Sequence, residues 1–93
     1  MPRCRLEVTG EVQGVGFRWF TRETARRLGL AGWVRNNTDG SVEILVEGSE
    51  SAMDRLVSEV SRGPAGAAVS RVQRTVEPAG ESLPAPFIIM GRG

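Results

Sequence analysis

The sequence contains no histidine, no lysine and no tyrosine, and it holds a single cysteine, Cys4. Each absence removes a class of chemistry. Without histidine there is no Ser-His or Cys-His catalytic unit and no imidazole ligand for a metal. Without lysine there is no Schiff base and no phosphate-binding lysine of the Walker type. One cysteine allows neither an intramolecular disulfide nor a thiolate metal cluster. No apolar run is long enough to span a membrane. The opening Met1-Pro2-Arg3-Cys4-Arg5-Leu6 also lacks the hydrophobic stretch of a signal peptide, so a cytoplasmic location without a membrane partner is expected. What remains is arginine, carboxylates, amides, hydroxyls and backbone.

All twelve basic residues are arginine, set against nine Glu and two Asp for a net charge of +1. A balance so near zero argues against bulk electrostatic binding to nucleic acid or anionic lipid. The 93 residues suit one domain, 1–93, with a single core, expected to fold alone and act as a monomer.

Hydrophobic periodicity divides the chain. Cys4, Leu6 and Val8 alternate with Arg5, Glu7 and Thr9, the period of a half-buried strand running to about Val12. A loop with two spaced glycines, Gln13-Gly14-Val15-Gly16-Phe17-Arg18, follows. From Phe17 the period becomes helical, with Phe17, Phe20, Thr24 and Leu28 on one stripe and Gly29 as the cap. Ala31 to Asn36 and Ser41 to Glu47 read as two strands around the turn Asn37-Thr38-Asp39-Gly40, a hairpin. Ser49 caps a second helix whose apolar stripe is Met53, Leu56, Val57 and Val60. Gly63-Pro64-Ala65-Gly66 breaks it, and a strand from about Ala68 to Glu77 follows. After a Pro/Gly-rich stretch, Phe87-Ile88-Ile89-Met90 suits a short fifth edge strand.

The order strand, helix, strand, strand, helix, strand predicts an α+β, ferredoxin-like sandwich (βαββαβ). Two helices cover one face of a four-stranded antiparallel sheet. RNA-recognition modules share this layout, but they stack bases on aromatic residues of the two central strands. Here the first and third strands carry none.

The loop from Gly14 to Arg18 joins the end of a strand to the start of a helix. Backbone N–H groups of Gly14, Val15, Gly16, Phe17 and Arg18 can converge there on an anion, helped by the helix dipole. Arg18, in the first helical turn, can grip a phosphoryl group with its planar fork. A dinucleotide fingerprint would need glycine at position 19, which is Trp19, and a Walker loop would need Gly-Lys. Taken alone, a Gly-x-Gly pair also suits an ordinary strand-to-helix turn. A right-handed crossover makes the first two strands parallel, which brings Asn36 to the same sheet edge. Its carboxamide could hold a water in line with a bound phosphorus, or simply steady the turn that follows it.

The run Val8-Thr9-Gly10-Glu11-Val12-Gln13-Gly14-Val15-Gly16-Phe17-Arg18 resembles the N-terminal signature of acylphosphatases. The run Gly32-Trp33-Val34-Arg35-Asn36-Asn37-Thr38-Asp39-Gly40-Ser41-Val42-Glu43 resembles their second signature, in the right order and spacing. This resemblance implies a ferredoxin-like fold and the metal-free, cofactor-free hydrolysis of a small-molecule acyl phosphate to carboxylate and phosphate. By motif position it implies that Arg18 and Asn36 are catalytic, Arg18 binding the phosphoryl group and Asn36 orienting water. The phosphate-cradling amides are those of Gly14 through Arg18. The chain departs from the family in lacking the closing arginine and aromatic pair on its last strand, so the resemblance does not say how that strand is anchored. The rival reading is a non-catalytic anion- or RNA-binding module, kept in play by Arg18, Arg22 and Arg26 at helical spacing.

The remaining residues invite structural roles. Trp33 and Phe17 suit packing, Cys4 an inert buried position, and Asp39 the turn. Arg22, Arg26 and Arg27 with Glu23 read as a solvated, ion-paired helix face. The eleven arginines other than Arg18 read as surface charge.

Overall fold

A computed structural model describes residues 1–91. Its elements run β1 (Arg3–Glu11), α1 (Phe17–Arg27), β2 (Ala31–Asn36), β3 (Val42–Glu47), α2 (Glu50–Arg62), β4 (Ala68–Val76) and β5 (Ile88–Ile89). The sheet order is β4-β1-β3-β2-β5. β1 pairs antiparallel with both β3 and β4, and β2 pairs antiparallel with β3. The expected ferredoxin-like arrangement is therefore present, with one difference. The short last strand does form, but it lies parallel to β2, with Trp33 opposite Ile88 and Val34 opposite Ile89, so the sheet is mixed.

The alternation in β1 places Cys4, Leu6 and Val8 in the core, where they meet Val42, Ile44 and Val46 from β3 and Val34 from β2. Helix α1 packs on β2 and β5, and α2 packs on β4 and β1. In α2, Met53, Leu56 and Val60 are buried, and the Ser49 hydroxyl accepts a hydrogen bond from the Ala52 amide at 3.1 Å. Helix α1 rotates slightly from its expected stripe: Thr21, Thr24 and Ala25 are buried with Phe17, while Phe20 and Leu28 lie partly buried at the margin. Among the described residues, no helix is long and apolar enough to cross a membrane.

The hairpin turn is held by its own polar groups. The Asn37 amide donates to the Ser41 carbonyl at 2.8 Å, and Asp39 Oδ1 accepts from the Ser41 amide and hydroxyl at 2.9 and 2.7 Å.

The segment from Pro84 to Met90 is anchored by burial and by hydrogen bonds to α1 and β2. Phe87 is fully buried in the core, and Arg26 Nε donates to its carbonyl at 2.8 Å. The Gly32 amide donates to the Pro84 carbonyl and the Met90 amide to the Val34 carbonyl, each at 2.8 Å. Arg26 therefore fastens the C-terminal segment and is not simply a solvated charge.

Other arginines also depart from the surface reading. Arg3, with only 8% of its side chain exposed, pairs with Glu47 at 2.6 Å and donates to the Glu81 carbonyl at 2.9 Å. On the sheet face away from the helices, Glu43 sits between Arg5 and Arg35 and accepts from both. A row of alternating charge on one strand face reads as solvent-facing, and only its cross-strand partners make it a network. Arg92 lies outside the described residues.

Candidate functional site

β1 and β2 are each antiparallel to β3, so they are parallel to one another and their C-terminal ends share one edge. The pairing of β1 with β4 shifts register between Thr9 and Gly10, a bulge that redirects the strand just before the loop. From there the chain passes through Gly14 and Gly16, both at φ of 77°, a left-handed conformation open to glycine at little cost. A Cβ at either position would meet nothing within 4 Å, so backbone conformation and not crowding calls for glycine here.

Gly16 is the N-cap of α1 and supplies no side chain, and the first turn carries no acid. The opening N–H groups of the helix, which lack intrahelical acceptors, are left facing the loop with the positive end of the dipole. Helix α2 is the opposite case, with Ser49 on its amides and Glu50 in its first turn.

A pocket of about 210 Å³ opens at this helix start. Gly14, Gly16, Phe17, Arg18 and Trp19 line it from the loop and helix, Asn36 from the end of β2, and Val12 and Ile89 complete it. Arg18 and Asn36, 18 positions apart in sequence, thus meet at one cavity. Of the expected cradle residues, Val15 does not line the cavity with its side chain, which packs against the core.

Arg18 is half-buried, and among the described residues no carboxylate forms an ion pair with it. Its neighbours are committed elsewhere. Arg35 pairs with Glu43 at 2.9 Å and lies over the Trp33 ring at 5.0 Å. Arg22 pairs with Glu23, and Arg26 holds Phe87, so the row Arg18, Arg22, Arg26 is not a free basic stripe.

Asn36 Oδ1 is buried and has no hydrogen-bond partner. An unsatisfied acceptor of this kind costs roughly 1–3 kcal/mol, and it invites a donor from a ligand or water. The turn-stabilising role considered for Asn36 falls instead to Asn37, whose Nδ2 donates to the Ser41 hydroxyl at 3.0 Å.

Gln13 plays a part that the sequence reading passed over. Its Nε2 donates to the Asn37 and Ser41 carbonyls, both at 2.9 Å. One amide therefore ties the start of the cradle to the turn that follows Asn36. The available signal was an amide side chain directly before the paired glycines.

Another cavity, about 440 Å³, also borders Asn36 and is lined with it by Arg35, Asn37, Thr38, Asp39 and Met90. The Asp39 carboxyl beside it is held below its ordinary range by the Ser41 hydroxyl and amide that donate to it.

The family model described as Acylphosphatase matches residues 4–89. An acylphosphatase of Rhizobium etli is 49% identical over 87 residues, covering 94% of this chain and 92% of that protein. One of Bifidobacterium longum is 54% identical over 72 residues, covering 77% of this chain and 74% of its own. The crystal structure of an acylphosphatase from Bacillus subtilis superimposes with a TM-score of 0.92 at 41% identity, covering 98% of this chain and all of the other. Both signature runs fall inside the matched region, and the chain belongs to the acylphosphatase family.

Proposed function

We propose that the protein hydrolyses acyl phosphates, with Arg18 binding the phosphoryl group and Asn36 holding the attacking water. The observation that carries this reading is the meeting of Asn36, whose Oδ1 has no hydrogen-bond partner, with Arg18 and the uncapped start of α1 around one pocket.

The phosphoryl oxygens sit against the amides of Gly14 through Arg18, and the Arg18 guanidinium neutralises their charge through its bidentate fork. The Asn36 carboxamide hydrogen-bonds the water and aims its oxygen at phosphorus. As the water's oxygen bonds to phosphorus, the bond from phosphorus to the carboxyl oxygen breaks, and its electron pair leaves on the carboxylate. One of the water's protons stays on the new hydroxyl and the other passes to a phosphate oxygen, giving carboxylate and dihydrogen phosphate. A carboxylate leaves readily, so positioning and charge stabilisation suffice, without a nucleophilic side chain or strong general acid. The absence of histidine and lysine costs this reaction nothing.

The test is hydrolysis of benzoyl phosphate by the wild type, Arg18→Ala and Asn36→Ala. Turnover by the wild type and loss of most of it in both variants, with the fold intact, supports the reading. Near wild-type rates in both variants would overturn the assigned roles. Binding of inorganic phosphate by a wild type that does not turn over would favour an anion-binding module instead.

A further inference from the structure

The polar members of the pocket account for one end of the substrate only. With Arg18, Asn36 and the loop amides assigned to the phosphoryl group, the side chains left for the acyl end are those of Val12, Ile89 and Trp19, with the buried Phe17 behind them in the lining. Val12 is buried, Ile89 is half-buried, and Trp19 is 59% exposed. Among the described residues Met1, Trp19 and Val76 are the large apolar side chains left this exposed, and Trp19 lines the pocket that also holds Arg18 and Asn36. It directly follows Arg18 in the first turn of α1 and lines the same pocket as the proposed phosphoryl site. The other cavity bordering Asn36 offers a polar acyl group little, because Arg35 and Asp39 there are already held by Glu43 and Ser41.

We propose that Trp19, with Ile89 and Val12, forms an apolar wall that selects acyl phosphates bearing an aromatic or bulky apolar acyl group. The proposal rests on the acyl phosphate reading above. An aromatic acyl group lying on the indole buries apolar surface on both partners and gains the offset stacking open to paired rings. Acetyl phosphate has too little surface to gain either.

The measurement is the ratio of kcat/KM for benzoyl phosphate to that for acetyl phosphate. Trp19→Ala lowers this ratio about tenfold, the size of one good aromatic contact, and Trp19→Phe retains most of it. Trp19→Gln, which removes the ring while keeping helix propensity, is the second variant and gives the same fall. An unchanged ratio in folded Trp19→Ala or Trp19→Gln overturns the proposal. If the wild type hydrolyses neither compound, the proposed function fails, and calorimetric binding of benzylphosphonate against methylphosphonate decides the wall separately. A preference for the benzyl compound that disappears in Trp19→Gln supports it, and no such preference overturns it.

Discussion

Asn36 carries an acceptor that folding has stripped of water without supplying a donor. Removing the carboxamide should therefore separate activity from stability. Asn36→Ala is expected to lose about a hundredfold or more in kcat/KM on benzoyl phosphate, the scale of one transition-state-directed polar group. Its Tm should stay level or rise, because an unsatisfied buried atom is gone. Enzyme assay and thermal unfolding on one preparation check both halves. Arg18→Lys keeps the charge but loses the rigid fork, and a comparable fall in kcat/KM is expected, measured with the same substrate. Gln13 acts one step further away. Gln13→Ala should cost about 1–2 kcal/mol in urea unfolding, since two bonds to backbone carbonyls disappear, and lower kcat as the cradle and β2 lose their tie. Gln13→Glu should not rescue either loss, because a carboxylate cannot donate to those carbonyls. Of these residues, Arg18 and Asn36 could be singled out from motif and topology. Gln13 could not, because its partners are backbone oxygens more than twenty positions away.

At the scale of elements, the start of α1 is set by backbone conformation. Gly16→Ala places a Cβ in open space yet in a left-handed backbone, so about 1–2 kcal/mol of strain is expected in urea unfolding, without steric repacking. The β2–β3 turn has an acid-sensitive member in Asp39. Its carboxyl is depressed below the ordinary 3.8 by the Ser41 hydroxyl and amide, so the contribution is present above that value and lost as pH falls through the folded one. Asp39→Asn should flatten this acid-side loss, read as unfolding midpoint against pH. Element order, both helices and the hairpin were legible because each shows a clean period and turn residues that agree with it. The parallel pairing of β5 was not, since two residues carry no directional pattern. Nor was the anchoring of the last segment, which depends on Arg26 reaching a carbonyl 61 positions along the chain. The inner face of α1 was read slightly out of phase, because the large apolar Phe20 and Leu28 drew the stripe away from the smaller Thr21 and Ala25, which are the buried ones.

For the molecule as a whole, Cys4 supplies a built-in probe. It is buried on the inner face of β1, and burial pushes its thiol pKa up, so the reactive thiolate is scarce in the folded state. Alkylation by iodoacetamide should be negligible under native conditions and rise in step with global unfolding in urea, followed by mass spectrometry. The cradle follows β1 and Asn36 closes β2, two strands that do not pair with each other. β3 lies between them, carrying the row Leu6–Ile44–Val34 across the sheet. That placement has a kinetic consequence. A nascent β1–α1 unit, however well formed, cannot position Asn36, and neither can the hairpin alone. During refolding, substrate turnover should return in one phase, together with burial of the central strand and never ahead of it, so the reaction itself becomes a clock for completion of the sheet.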